Sequence, residues 1–539
     1  MSAQINAFVF LTILATIAFT YLKLAFGQII AQKDFRIWVI SWFAITFFAF
    51  FSNNFLLFVL LSAIFIFAMS RKVENKLALF LVLLYAIPSF QEKLSVLFTI
   101  NFTRELSLLL LFPLLTKLLS PRRNPGLKKF GKVATDNWVV AYLGLMFLLY
   151  FRGVNAKFVE PTTLSEGIRY GFYLFCELFL PYYVASRYIQ NFEQLKTVVI
   201  AFISICTVAG SIGMFEIAKS WLLYGNLSDF LGAELASKTY LLRGGFIRAS
   251  SSLDHSLILG LVMMIALGFF LSIQHLIESK LIKIGGFMLI IGGLIAPLAR
   301  GAWMGAFFMM IFYFSLGYKK YRNIAIILLA GFLSVPLLAI IPGGEKVLNF
   351  LPFIGHVDQF NVDYRDQLID HSILVIKKYP LLGHFEATYE PEMQDMVQGE
   401  GIIDLVNYYL NITLYFGLVG LTLLIALFAS FTIPLLKHIN RFKDQKSLQY
   451  LLGKSLFTLL IGTFITIATL SALNMVNTTL FILAGLTVSY IRITKNQQTD
   501  DQSSSENPQE VRTEKGFYPT SRIAQHTAQA TPPVRGLLK

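Results

Sequence analysis

Charge is scarce in this chain. Only 14% of its 539 residues are Asp, Glu, Lys or Arg, whereas a soluble domain carries about 25%. With 56% hydrophobic residues and 51 Phe, and a mean hydropathy of +0.64, no soluble core hides this much apolar surface, and the excess must face lipid. Cysteine is nearly absent. Cys176 and Cys206 both sit inside apolar runs, which excludes a disulfide framework and zinc-ligand spacing. There is also no P-loop and no EF-hand spacing, so no metal and no cofactor is expected. A cleavable signal peptide is not expected either, because the first apolar run is too long and lacks a basic start with a small-residue cleavage site.

Apolar runs fill most of what remains. A helix needs roughly 20 residues to cross about 30 Å of hydrocarbon. Candidate spans fall near 5–31, 36–51, 54–70, 77–90, 104–119, 136–152, 168–187, 196–219, 255–275, 281–299, 301–318, 322–342, 407–435, 451–472 and 475–492. Helix is the only open form that satisfies its own backbone in lipid. The fold expected is therefore all-α, a polytopic transmembrane helix bundle of about 12–15 spans. No internal repeat is visible.

The formal net charge of +14 does not indicate nucleic acid, because the cations cluster in short loops between apolar runs, as the positive-inside bias requires. Lys117, Arg122, Arg123, Lys128, Lys129 and Lys132 form the strongest cluster and mark a cytoplasmic loop. Counting spans from it puts Arg71 and Lys72, Lys280 and Lys283, Lys319, Lys320 and Arg322, and Lys437, Arg441 and Lys443 on the same side. Segments 152–167, 220–254 and 343–406 then lie outside, the last long enough to expect function of it and partly helical. The membrane domain is expected over 1–495, followed by a polar, disordered cytoplasmic tail over 496–539.

Ionisable residues at the membrane rim are costly and need a reason. Three outer groups stand out. In PLARGAWMGAFF, Arg300 stands between two apolar runs and is followed by the small residues Gly301, Ala302, Gly305 and Ala306. A snorkelling interfacial arginine is the bland explanation, but its planar fork also matches phosphate oxygens. In LLRGGFIRASSSLDHSLILG, Arg243, Arg248, Ser250, Ser251, Ser252, Asp254 and His255 crowd the start of a span. Asp254 is expected to cap that helix, which leaves the two arginines unexplained by capping. In YRDQLIDHSILVIKKYPLLGHF, the apolar positions Leu368, Ile369, Ile373, Leu374 and Ile376 predict an amphipathic helix ending at Pro380. Arg365 stands at its start and His384 just past its end. Glu386, Glu390, Glu392, Asp395, Glu400 and Asp404 follow, most of them expected as solvated surface. A general base for a hydroxyl substrate would come from His384, Glu400 or Asp404.

The order of these elements, completed by NYYLNITLYFGLVGLTLL from Asn407 onward, resembles the O-antigen ligase and O-antigen polymerase superfamily of bacterial envelope enzymes over roughly 240–430. The resemblance implies a metal-independent, inverting glycosyltransferase in the bacterial inner membrane. It would move a glycan from undecaprenyl diphosphate to a glycan or lipid acceptor at the periplasmic face. Arg248 or Arg243, with Arg300, would hold the diphosphate, and Arg365 would steady the donor. Many ligases carry a histidine directly before the asparagine of the NYYLN segment. Here Val406 precedes Asn407, so either His384, Glu400 or Asp404 substitutes as the base or the chain is a polymerase or a divergent ligase, with polymerase-like or exopolysaccharide-type transfer the favoured expectation. The competing reading is a secondary transporter or flippase of a polar or anionic solute. It would rest on Glu177 and Glu216 inside spans and on breaks at Pro88, Pro113 and Pro297.

Overall fold

The computed structural model describes residues 2–93, 99–120, 131, 133–158, 163–235, 241–317, 359–398, 401–442 and 444–506, with isolated positions between 322 and 350. The chain is an all-α polytopic membrane bundle. Among the described residues, eight helices are long and apolar enough to cross a membrane. These are α1 (Ser2–Phe26), α2 (Gln32–Phe51), α7 (Ala134–Tyr150), α10 (Phe192–Lys219), α12 (Ser256–Ile273), α16 (Tyr408–Ile439), α17 (Leu448–Ile467) and α18 (Asn474–Glu506). Shorter helices complete the bundle: α3 (Phe55–Ser70), α4 (Lys76–Leu84), α13 (Lys280–Ile295) and α14 (Arg300–Ser315). Two further rods, α5–α6 (Phe102–Leu106 and Phe112–Leu119) and α8–α9 (Leu164–Leu174 and Leu180–Tyr188), are each interrupted by one π turn. Each π turn lies just ahead of a proline, Pro113 or Pro181, whose missing N–H breaks the regular ladder. Pro88 and Pro297 lie between helices instead. The expected span at 322–342 lies outside the described residues apart from isolated positions.

The packing follows hydropathy. Of the α12 span, 94% is buried, so this helix is the axis of the bundle, packed against α10, α13, α14 and α17. α1 and α3 turn Ile5, Val9, Ile13, Ile17, Leu60 and Ile64 outward, as lipid-facing helices must. α14 and α17 pass with their backbones nearly touching: a Cβ at Gly305 would lie 2.6 Å from the Gly462 carbonyl oxygen, and one at Gly301 would lie 1.7 Å from Thr469 Oγ1. The small residues of RGAWMGA therefore serve helix contact, the usual means of association in lipid.

Contacts sort the loops into two ends. At one end Asp34 accepts from the Glu74 and Asn75 amides at 3.0 and 3.2 Å. There too Arg187 pairs with Asp136 in a buried ion pair, and Tyr188 donates to the Glu74 carbonyl. The opposite end gathers the loops that bear the candidate site. It holds a three-stranded antiparallel sheet in the order β2-β1-β3, built from β1 (Phe90–Lys93), β2 (Thr99–Asn101) and β3 (Glu234–Leu235), and a hairpin of β4 (Leu242–Arg243) and β5 (Phe246–Ile247). α15 (Gln359–Lys378) lies at this end and stops two residues before Pro380, as its periodicity predicts. It starts six residues before Arg365, so Arg365 is in its second turn and not at its N-terminus.

α18 runs on to Glu506, past the boundary expected at residue 496. A polar stretch can extend a helix already nucleated by its apolar half, since adding residues is far easier than starting a helix. Residues 507–539 lie outside the described residues.

The PLLG segment has a definite task. α16 is broken at Gly417, whose φ of 67° and ψ of −171° are not helical. Residues 380–384 fill the break: Leu418 N donates to the Pro380 carbonyl at 2.8 Å, and His384 N to the Leu414 carbonyl at 2.8 Å. Arg152 donates to the Leu382 and Gly383 carbonyls at 2.6 and 2.7 Å and also to that of Tyr415. A Cβ on Gly417 would lie 2.2 Å from the Leu381 carbonyl oxygen. Gly417→Ala is therefore expected to destabilise the protein by about 2 kcal/mol or more, from the strained backbone alone plus the clash. A lowered thermal unfolding midpoint in detergent checks this, and an unchanged midpoint would contradict it.

Candidate functional site

The arginine pair of LLRGGFIR is placed by a hairpin. Gly244 and Gly245 take φ of 54° and 81°, the consecutive positive values that a tight two-residue hairpin turn demands and that glycine accepts without cost. Leu242 pairs with Ile247 and Arg243 with Phe246, and Arg248 N donates to the Leu241 carbonyl at 2.9 Å. Because side chains alternate with a period of two, this register puts Arg243 and Arg248 on one face of the hairpin. Both reach the same turn. Arg243 Nη1 donates to the Leu298 carbonyl, and Arg248 Nε to that of Pro297 at 3.2 Å. Leu298 has φ of 50°, a left-handed conformation that costs a non-glycine residue roughly 1–2 kcal/mol. The two guanidinium groups thus brace the strained turn from which α14 starts, with Arg300 as its first residue.

The segment after the hairpin is tied down atom by atom. Glu216, fully buried on α10, accepts from the amides of Ser250 and Ser251 at 3.1 and 2.8 Å and of Leu223 at 3.0 Å. Ser252 Oγ donates to the Tyr85 carbonyl at 2.7 Å. Asp254 accepts from Ser89 N at 2.5 Å and does not cap the helix. The cap of α12 is His255, whose Nδ1 accepts from Leu257 N at 3.1 Å. Residue 254 is one position too early to reach that donor, and its carboxylate is committed across the fold.

These elements enclose one cavity of about 200 Å³, lined by Arg243, Arg248, His255, Arg300, Arg365 and Asp404, with Gly301, Tyr364, Gln398 and Thr469 among its other walls. Among the described residues, four guanidinium groups and one carboxylate face a single small volume. The starts of α12 and α14 also contribute to its wall, and helix N-termini favour anions. The Arg365 guanidinium is held below its ordinary pKa by burial first, then by the positive charges of Arg243 and Arg300, with Asp404 acting the other way. Asp404 is fixed by Ser471, whose Oγ donates to Oδ1 at 2.8 Å, and by Tyr364, whose hydroxyl donates to the Asp404 carbonyl at 3.2 Å. Arg243, Arg248, Arg300 and Arg365 come from three separate stretches of chain, so only the fold brings them together.

The remaining candidates lie elsewhere. His384 stacks on Tyr379 with ring centroids 4.3 Å apart, and its Nε2 is 3.3 Å from the Glu390 carboxylate. Glu390 and Glu392 in turn pair with Lys378. This group braces the end of α15 and is not part of the arginine cavity wall. Asn407 is the N-cap of α16, its Oδ1 accepting from Leu410 N at 3.1 Å. Glu400 lies outside the described residues. The two carboxylates on which a transporter would rest have structural partners: Glu216 as above, and Glu177 in an ion pair with Arg104 at 2.7 Å. Sequence reasoning missed Tyr364, Ser471 and Arg152. Tyr364 stands beside Arg365, and Arg152 is the single cation in its outer segment before Lys157, which were the available signals. The RGG turn signal of the hairpin was also on view.

His255 is neutral over most of the accessible range, because burial and then the nearby Arg248 push its pKa down to about 4. The unfolded chain binds this proton near pH 6.5, so the native state loses stability as pH falls from about 6.5 toward 4. His255→Asn keeps a capping oxygen and removes the titration. Its unfolding midpoint is expected to fall less than that of the wild type across this window, and identical pH dependence would contradict the assignment.

Residues 285–425 match the family model described as O-antigen ligase. The matched segment includes Arg300, Arg365 and Asp404, while Arg243, Arg248 and His255 precede it. No curated protein matches the sequence.

Proposed function

From a membrane bundle that carries an O-antigen ligase domain over residues 285–425, we propose a glycan transferase that works at the non-cytoplasmic face on a glycan linked to undecaprenyl diphosphate. The observation that carries this reading is the cavity in which Arg243, Arg248, Arg300 and Arg365 face one another beside Asp404. Two like unit charges 4 Å apart repel by about 4 kcal/mol at the effective dielectric of a protein surface. Four guanidinium groups around one small volume, with Asp404 the carboxylate among the described residues on its wall, make a site suited to a multivalent anion. A diphosphate fits that need, and guanidinium forks bind its oxygens in pairs. The Lys and Arg clusters at Arg71, Lys72, Lys280, Lys283, Lys437 and Arg441 belong to loops on the opposite side of the span count, which under the positive-inside bias makes the cavity end the periplasmic one.

The reaction follows from the charge balance. An acceptor hydroxyl attacks the anomeric carbon and its bond to the diphosphate oxygen breaks, so the leaving group gains negative charge as the transition state forms. Guanidinium groups preorganised around that oxygen stabilise the growing charge more than the ground state, which is where catalytic leverage lies. The hydroxyl proton passes to Asp404, the one carboxylate among the described residues on that cavity wall, oriented by Ser471. A single displacement inverts the anomeric centre and needs no metal, since cationic side chains already meet the leaving group. His384 is a brace in this scheme. The acceptor is a glycan or a lipid-borne glycan, giving polymerisation or ligation.

Arg300→Lys keeps the charge but loses the fork. Glycan transfer is expected to fall about 10²-fold or more, and Asp404→Asn to lower it about 10²–10⁴-fold. His384→Ala is expected to stay within a few-fold of wild type. The check is the glycan profile of a deletion strain complemented with each variant, with protein levels measured. Normal output from Arg300→Lys rejects the diphosphate role. A silent Asp404→Asn beside a dead His384→Ala reassigns the base.

A further inference from the structure

The arginine cavity is one of three in a row. It shares His255 with a second cavity of about 220 Å³, lined also by Asn101, Glu177 and Asp254. That cavity shares Ala472 and Asn474 with a third of about 230 Å³. The third lies among α7, α8, α16 and the start of α18, and its walls differ in kind from those of the first. Tyr150 and Tyr170 stack face to face, 4.1 Å between centroids and 10° between planes, and Phe385 meets Tyr150 edge-on at 6.3 Å. Three carboxamides, Asn411, Asn474 and Asn477, line the same cavity. Asn477 Oδ1 accepts from the Tyr408 hydroxyl at 2.6 Å, which orients that amide and leaves its NH2 as a donor. Asn411 is half-buried and Asn474 is exposed on the same wall. Arg152, the cation among the described residues on the wall, is already committed to the carbonyls of Leu382, Gly383 and Tyr415.

A cavity that combines flat aromatic faces with carboxamides, and whose Arg152 is already bonded to three carbonyls, suits a phosphate poorly, and its amides do not suit an acyl chain. It suits a sugar ring, whose C–H face packs on aromatic carbon and whose neighbouring hydroxyls each offer a donor and an acceptor to a carboxamide. We propose that the cavity lined by Tyr150, Tyr170, Asn411, Asn474 and Asn477 is a saccharide subsite, which holds a neutral sugar ring of the glycan at a distance of one cavity from the diphosphate site. This rests on the function proposed above and names where that site grips the glycan. The clamp formed by Gly383, Gly417 and Arg152 then has a use, because it fixes Phe385, Tyr415 and Phe416 as part of the same wall.

The test uses the full-length protein in nanodiscs and two separate probes, inorganic pyrophosphate and a panel of free neutral hexoses, N-acetylhexosamines and their disaccharides, with binding read by saturation-transfer NMR. Asn411→Leu and Asn474→Ala are expected to weaken saccharide binding about tenfold, the effect of losing one or two hydrogen bonds, and to leave pyrophosphate binding unchanged. Retained pyrophosphate binding also shows that the variants are folded. Arg300→Lys is expected to do the reverse. Saccharide binding that neither Asn variant weakens, or no binding of any panel sugar to the wild type, overturns the subsite. Pyrophosphate binding indifferent to Arg300→Lys contradicts the diphosphate site and leaves the subsite standing.

Discussion

Guanidinium groups that share a cavity repel one another, and most of the local structure around Arg243, Arg248, Arg300 and Arg365 makes sense as the means of holding them together. The Gly244–Gly245 turn sets a register that puts two arginines on one face. Those two bind the carbonyls of Pro297 and Leu298 and so stabilise a left-handed leucine that no isolated turn would keep. That turn in turn aims the first residue of α14, Arg300, at the cavity. Glu216 contributes from within the membrane bundle by accepting three backbone amides of neighbouring loops. The cost of gathering like charges is carried by folding energy from elsewhere, chiefly the tightly packed α12, α14 and α17. Such preorganised charge is the arrangement that favours a developing negative leaving group over a neutral one.

The same economy of backbone contacts governs the wall on the other side. α16 gives up its helical conformation at Gly417 so that residues 380–384 can lie against it. Carbonyls left without helical partners there need donors, and Arg152 provides them. The helix α15, which carries Arg365, is thereby anchored at its far end, while Tyr364 and Ser471 anchor Asp404 near its start.

Much of this was legible in the sequence and the rest was not, for identifiable reasons. Hydropathy reveals spans because lipid leaves helix as the one open choice, so the helical bundle could be read directly, while the division between 36–51 and 54–70 stayed open until the helices Gln32–Phe51 and Phe55–Ser70 were seen. Arg243, Arg248, Arg300, Arg365, Asp404 and His255 were selected one by one because charge at a membrane rim needs a reason. Their convergence could not be read, since it depends on loops separated by more than a hundred residues. One error was local. Asp254 looked like a cap by residue type, yet its carboxylate is drawn to Ser89 and His255 takes the cap. Residue type suggested that role, and competition for partners across the fold decided it otherwise.

The account stands on a diphosphate docking among four arginines, and the most direct measurement is displacement of a bound lipid. Purified wild-type protein loaded with undecaprenyl diphosphate, followed by native mass spectrometry, is predicted to release the lipid to inorganic pyrophosphate far more readily than to chloride of equal ionic strength. Equal release by the two salts would contradict it.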